Sequence, residues 1–167
     1  FFQCVEAANR WHMAVPAELQ TVMDTYAKET GRQYHQFDYY GDKEATDVII
    51  MMGSAAQTAI ETVGYLNSQG KKTGVVVVRL YSPFDADAFM SALPKTTQRV
   101  CVLDRLKVPG GAGEPLFLDC HYVLKESNMK LQHCIGGRYG LGSKEFNPDH
   151  CIAVFENLAL ETPKQRF

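Results

Sequence analysis

Three short segments hold the residue types from which a site could be made. In Met52-Gly53-Ser54-Ala55 a glycine and a serine follow an apolar run. That pattern turns a strand into a helix and points backbone N–H groups outward, where an anion can bind. In the second, Asp104 and Arg105 precede a loop holding Gly110, Gly111, Gly113 and Glu114. Charged residues at a strand's carboxyl end are well placed for binding or catalysis, and the glycines permit close approach of another backbone or a ligand. In the third, Arg138 sits within Gly136-Gly137-Arg138-Tyr139-Gly140. An arginine there suits a phosphate or a carboxylate.

None of the three is a complete catalytic set. Met-Gly-Ser-Ala-Ala matches neither G-x-G-x-x-G nor G-x-x-x-x-G-K followed by Ser or Thr. Nothing resembles the G-x-S-x-G nucleophile turn. Ser54 therefore reads first as an N-cap, and the Asp104–Pro115 loop as packing against a neighbouring domain. For Arg138 the spacing leaves an anion contact, a mobile loop and an interdomain contact open. No residue is assigned a catalytic, cofactor-binding or metal-ligating role. Gly53, Ser54, Asp104, Arg105, Gly111, Gly113, Glu114 and Arg138 are candidates for structural or interdomain loops. A second hypothesis has the loops around Gly53, Asp104 and Arg138 forming a small anion or nucleotide pocket.

The five cysteines read as small buried hydrophobes in a reducing compartment. Cys120-His121, His133-Cys134 and His150-Cys151 are adjacent pairs. Neighbouring side chains diverge on a helix and oppose one another on a strand, so such pairs rarely chelate one ion. There is no C-x-x-C, which argues against zinc or an iron–sulfur cluster here.

The elements that must position these segments follow from periodicity. Residues 1 to about 15 are mixed and aromatic. Pro16 suits the first turn of a helix running to about Thr30, which Gly31 stops. Arg32 to Tyr40 shows no clear period, and Gly41-Asp42 marks a turn. Apolar runs at Asp47–Met52, Gly74–Leu80, Arg99–Leu103 and Lys130–Ile135 read as strands. Helical patterns lie between them, at about Ser54–Ser68, Asp85–Leu93 and Leu116–Lys125. Gly136–Ser143 reads as a glycine-rich loop, and Pro148 opens a last helix to about Leu160. The alternation predicts an α/β fold of three αβα layers, with an open, mostly parallel sheet of about five strands. The chain divides into a connecting arm, 1–40, and an α/β domain, 41–167.

The 167 residues suffice for one domain with its own core. A formal net charge of −2 implies no general affinity for nucleic acid. No apolar run approaches the roughly 20 residues of a membrane span. The start lacks an initiator Met and a signal pattern, and both ends are expected to be internal to a longer polypeptide.

Several motifs in order carry a resemblance. These are Phe1-Phe-Gln-Cys-Val-Glu-Ala-Ala-Asn9, Ala14-Val-Pro16, Gly41, Asp47-Val-Ile-Ile-Met-Met-Gly-Ser54 and Val78-Arg-Leu-Tyr-Ser-Pro-Phe84. Val102-Leu-Asp-Arg105, Gly113-Glu-Pro-Leu-Phe-Leu-Asp119 and Gly136-Gly-Arg-Tyr-Gly-Leu-Gly-Ser143 complete the set. Together they resemble the pyruvate:ferredoxin (flavodoxin) oxidoreductase family over essentially the whole chain. Lys107–Ala112 departs from that family's usual loop.

The resemblance implies the family's second domain, which is similar to the C-terminal domain of transketolase. Its members oxidatively decarboxylate pyruvate to acetyl-CoA with thiamine diphosphate and Mg²⁺, and pass electrons through 4Fe–4S clusters. The cofactor and cluster motifs, with CoA as substrate, belong to other domains. The resemblance therefore implies a non-catalytic structural domain, inactive in isolation. Its partners would be other domains of the same polypeptide and the second subunit of a homodimer, with ferredoxin or flavodoxin as the parent's electron acceptor. It implies a reducing intracellular setting, either cytoplasm or an anaerobic mitochondrion-related organelle. Similar domains occur in fused NADP-dependent pyruvate oxidoreductases and some sulfite reductase flavoprotein subunits.

Overall fold

The computed structural model describes residues 1–167. In chain order the elements are α1 (Phe2–Thr30), β1 (Phe37–Gly41), β2 (Asp47–Met52), α2 (Ala56–Ser68), β3 (Thr73–Val78) and α3 (Ala86–Ala92). Then come β4 (Arg99–Asp104), α4 (Pro115–Glu126), β5 (His133–Arg138), a 3₁₀ turn (Leu141–Ser143) and α5 (Pro148–Leu158). The strands form one sheet in the order β1-β3-β2-β4-β5. Strands β3, β2, β4 and β5 are parallel, and β1 joins β3 antiparallel at the edge. The result is a three-layer αβα domain with a mostly parallel five-stranded sheet.

Successive strand residues point to opposite faces, so each interior strand feeds two cores. Ile49, Met51, Val75, Cys101 and Leu103 meet Ala59 and Val63 of α2 and Cys151, Phe155 and Leu158 of α5. Val48, Ile50, Val76, Val100 and Val102 meet Phe89 of α3 and Leu116, Cys120 and Leu124 of α4. This two-sided burial explains why β2, β3 and β4 are unbroken apolar runs. At the amino end of the sheet, Arg99 makes a two-pronged bond to the buried Asp47, its register partner on β2.

Five expectations need correction. Helix α1 does not begin at Pro16. It runs unbroken from Phe2, with Pro16 inside it. The proline forfeits one helical hydrogen bond, and Gln36 Nε2 donates to its carbonyl at 3.2 Å. The stretch 32–40 is not all connector, because β1 starts at Phe37, ahead of the boundary expected at Gly41. The Phe37 ring fixes it there by packing on Phe84 and Phe89 at 5.2 and 5.5 Å. Ser54 is not a helix cap. Helix α2 starts after Ala55, which makes no side-chain capping bond. Strand β3 ends at Val78, two residues before Leu80. Finally, the last strand is displaced toward the carboxyl end, so Gly136, Gly137 and Arg138 are strand rather than loop.

The glycines in β5 have a packing reason. A side-chain carbon at Gly136 would lie 3.1 Å from the Phe117 ring, and one at Gly137 would lie 2.7 Å from Leu103 and 2.9 Å from Phe167. Aromatic rings occupy both faces of this strand where side chains would otherwise stand.

Candidate functional site

The chain steps from β2 out to β3, then crosses back over β2 to β4. The sheet's order reverses between β2 and β4, and their carboxyl ends diverge there into a crevice, the usual ligand position in open α/β sheets. All eight candidate residues lie at or next to this edge of the sheet, but they do not converge on one point.

Asp104 ends β4 and is 4% exposed. Its two carboxylate oxygens accept from the N–H groups of Leu116 and Phe117, each at 3.1 Å. These are first-turn donors of α4 that no residue of the helix itself satisfies. Glu114, the residue before α4, makes no side-chain cap, so Asp104 caps this helix from a neighbouring strand. Burial pushes the Asp104 carboxyl up, against the pull of the two N–H donors. Arg138 ends β5 and donates through Nε to Glu114 Oε1 at 2.7 Å. That bond holds the buried Glu114 carboxyl below its usual range. Gly111 lies against Val108, and Gly113 against Phe117 and Leu118. Asp104, Glu114 and Arg138 thus fasten the start of α4 to the ends of β4 and β5.

The crevice belongs to other residues. It has a volume of about 330 Å³, and its lining includes Ser54, Ala55, Thr58, Arg105, Gly140 and Lys144. Gly53 turns the chain out of β2 with a φ of 85°, a conformation that favours glycine. The N–H groups of Ser54 and Ala55 donate to no acceptor within the protein. Arg105 lies across the bare backbone of Gly140, where a side-chain carbon would sit 2.9 Å from its Nε. Neither Arg105 nor Lys144 forms an ion pair, although Glu145 also lines the space. Tyr139 bridges the gap by donating to the Met52 carbonyl at 3.0 Å, and burial raises its hydroxyl pKa. The pocket expected around Gly53, Asp104 and Arg138 is therefore built differently. Asp104 and Arg138 are engaged in internal bonds, and Arg105 faces the cavity.

Sequence reasoning missed Tyr139, Lys144 and Arg79. Arg79 follows β3, pairs with the buried Asp38 and lies 4.4 Å over the Tyr34 ring. It borders a second hollow with Gly53, Ser54 and Gln57. Its place at a strand's carboxyl end was the only signal available.

Metal and thiol chemistry find no assembled group. No three His, Cys, Asp or Glu side chains converge as metal ligands. Cys101, Cys120 and Cys151 are buried and Cys134 half-buried. Burial pushes all four thiols up, those of Cys134 and Cys151 to about 12. No helix is long and apolar enough to cross a membrane.

A pyruvate-flavodoxin oxidoreductase from Trichormus variabilis is 52% identical to the chain over 169 aligned residues, covering all of this chain and 14% of the relative. A pyruvate:ferredoxin oxidoreductase from Moorella thermoacetica is 49% identical, with the same coverage of each. The chain spans about one-seventh of the length of these two proteins. Among solved structures, a 2-oxoglutarate:ferredoxin oxidoreductase from Magnetococcus marinus superposes with a TM-score of 0.53 at 21% identity. It covers 74% of this chain and 19% of its own, a likeness of fold alone. The family model described as pyruvate:ferredoxin oxidoreductase core domain II matches residues 45–151, from just before β2 into α5. On that match, over more than half its length, the chain belongs to the pyruvate:ferredoxin oxidoreductase core domain II family.

Proposed function

We propose that the chain is a structural domain of a pyruvate:ferredoxin (flavodoxin) oxidoreductase, the enzyme that oxidatively decarboxylates pyruvate to acetyl-CoA. Full-length similarity at about half identity to proteins bearing that name carries the reading. The strand-end charges support it, because Asp104, Glu114 and Arg138 are consumed in fastening α4. In this reading the residues ahead of β1 are the arm that enters from a preceding domain, and those from Phe37 onward the body of this one. Thiamine diphosphate, Mg²⁺, 4Fe–4S clusters and CoA engage other parts of the polypeptide. Neighbouring domains and a second subunit cover this one, ferredoxin or flavodoxin takes the electrons, and the setting is a reducing compartment.

Calorimetry on the 167-residue chain, its fold checked by circular dichroism, tests this. Thiamine diphosphate, Mg²⁺ and pyruvate should give no heat of binding and no decarboxylation. A micromolar titration would overturn the structural role.

A second reading has one observation in its favour. Arg105 and Lys144, neither of them ion-paired, border the crevice beside the free N–H groups of Ser54 and Ala55. That arrangement suits a small anion or a nucleotide phosphate. Thermal-shift measurements with phosphate, nucleotides and CoA should show stabilisation that Arg105→Ala removes. No shift with any of them ends this reading.

A further inference from the structure

Uncovered apolar side chains cluster along α1. Trp11, Val22, Val5, Tyr26 and Val15 are exposed on this helix by 66, 63, 52, 42 and 37%. At about 100° per residue they fall on one stripe. Pro16, Leu19, Gln20, Met23 and Ala27, the half-buried residues of the second half, fall on an adjoining stripe that faces the chain's own Tyr34–Gln36 segment. Arg10, Thr21 and Lys28 occupy the opposite side, where Met13 adds a large apolar side chain, 69% exposed. The helix is amphipathic, and its own domain covers only part of the apolar side.

The spacing identifies the missing cover. Val5, Ala8, His12, Val15, Leu19, Val22 and Tyr26 alternate by three and four residues over three heptads. Leu19 is already half-buried and Tyr26 stacks on the chain's own Tyr34 at 6.0 Å, so the open part of this row runs from Val5 to Val22. A mean period of 3.5 residues keeps a seam facing another helix, because each side chain drops between four of the partner's. A second copy of α1 is poorly specified as that partner. In parallel pairing, the positions flanking the seam would face Cys4 with Asn9, Trp11 with Pro16, and Glu18 with Met23. None of these pairs carries opposite charges. The two relatives described above are about seven times longer than this chain.

We infer that the outer stripe of α1 is a docking seam for an apolar-faced α-helix from another part of the same polypeptide. The inference rests on the reading of the chain as one domain of a larger enzyme. The seam would fix the angle at which the arm leaves its neighbour, which the few contacts of residues 2–15 inside this domain leave unfixed.

Hydrogen exchange read by mass spectrometry on the complete enzyme tests the seam. Amides of residues 5–15 should exchange about 100-fold more slowly than in an unstructured peptide. The pair Val15→Asp and Val22→Asp should remove about tenfold or more of that protection. The pair Ala17→Asp and Thr21→Asp adds the same charge to the polar side and should leave it intact. Peptides from β2 and β4 report whether the variants still fold. Wild-type amides at 5–15 exchanging near unstructured rates would overturn the seam. So would protection that vanishes on dilution to single subunits, since the partner would then be a second copy. If the native gene product has only the 18.7 kDa of this chain, the multidomain reading itself fails. A long enzyme with an unprotected α1 defeats the seam alone.

Discussion

Asp104 holds two elements together with one carboxylate. Its oxygens satisfy the N–H groups of the buried Leu116 and the half-buried Phe117. Leaving buried donors unpaired costs about 1–3 kcal/mol. Asp104→Ala should lower the melting temperature accordingly and weaken assembly of the complete enzyme. On the function proposed above, the KM for pyruvate should stay near wild type. A variant of unchanged stability with a collapsed turnover number would place this loop in the chemistry. Glu114 gives a pH signature of known sign. Its folded-state pKa lies below the ordinary glutamate value of 4.5 because Arg138 bonds the carboxylate. The stabilisation is therefore full above pH 4.5 and is lost as pH falls through the folded value. Asp104 and Asp47, raised by burial, work in the opposite sense, favouring the fold at low pH. Comparison with Glu114→Gln isolates the first effect. Wild type should lose more stability than the variant between about pH 5 and 3 in thermal melts. Parallel curves would mean that the Arg138 bond carries no net charge stabilisation. The sequence pointed to Asp104 and Arg138 as strand-end residues. Their partners were not legible, because the bonds join residues 12 and 24 positions apart that only the fold brings together.

Elements buried on both faces were readable, and those resting on one specific contact were not. Strands β2, β3 and β4 announce themselves as apolar runs because each feeds two cores. The start of α3 was equally plain, since its helical pattern reads from Asp85, the residue that caps it by accepting from the Ala88 N–H at 2.9 Å. By contrast, β1 depends on aromatic packing of Phe37, and β5 uses glycines where a strand is expected to carry side chains. Pro16 inside α1 hid the first half of that helix, since proline ordinarily marks a helix start or a break. Gly74 shows how strict such contacts are. A side-chain carbon there would lie 2.2 Å from the Tyr39 hydroxyl and 2.6 Å from its ring. Gly74 pairs with Gly41 across the β1–β3 ladder, so the clash falls within the edge pair. Gly74→Ala should destabilise by about 1–3 kcal/mol in urea titrations. Combining it with Tyr39→Leu should cost clearly less than the sum of the two single changes. Strict additivity would show that Tyr39 is not the obstacle.

At the scale of the molecule, the two helical layers are joined through one sheet, and β2 serves both. Ile49 and Ile50 are adjacent, fully buried, and belong to opposite cores. Each truncation to alanine should cost about 2–5 kcal/mol. Both should shift a single unfolding transition that far-ultraviolet and near-ultraviolet dichroism report together. Two separated transitions would mean that the layers unfold independently. The three-layer plan was visible in the alternation of strand and helix patterns. The course of α1 was not, because an amphipathic helix does not reveal from sequence which neighbour covers it. The margin of the sheet beyond β5 carries a last consequence. Residues Gln165 to Phe167 run alongside it, accepting from the Gly136 N–H at 3.1 Å and the Arg138 N–H at 2.7 Å. These acceptors are made some thirty residues after the strand they cover. On the ribosome, β5 therefore emerges with its outer margin bare and stays so until residues 165–167 have also left the exit tunnel. Bare strand margins recruit other chains. Nascent copies on a crowded message are most exposed to tangling in that interval, which ends when residues 165–167 reach the strand.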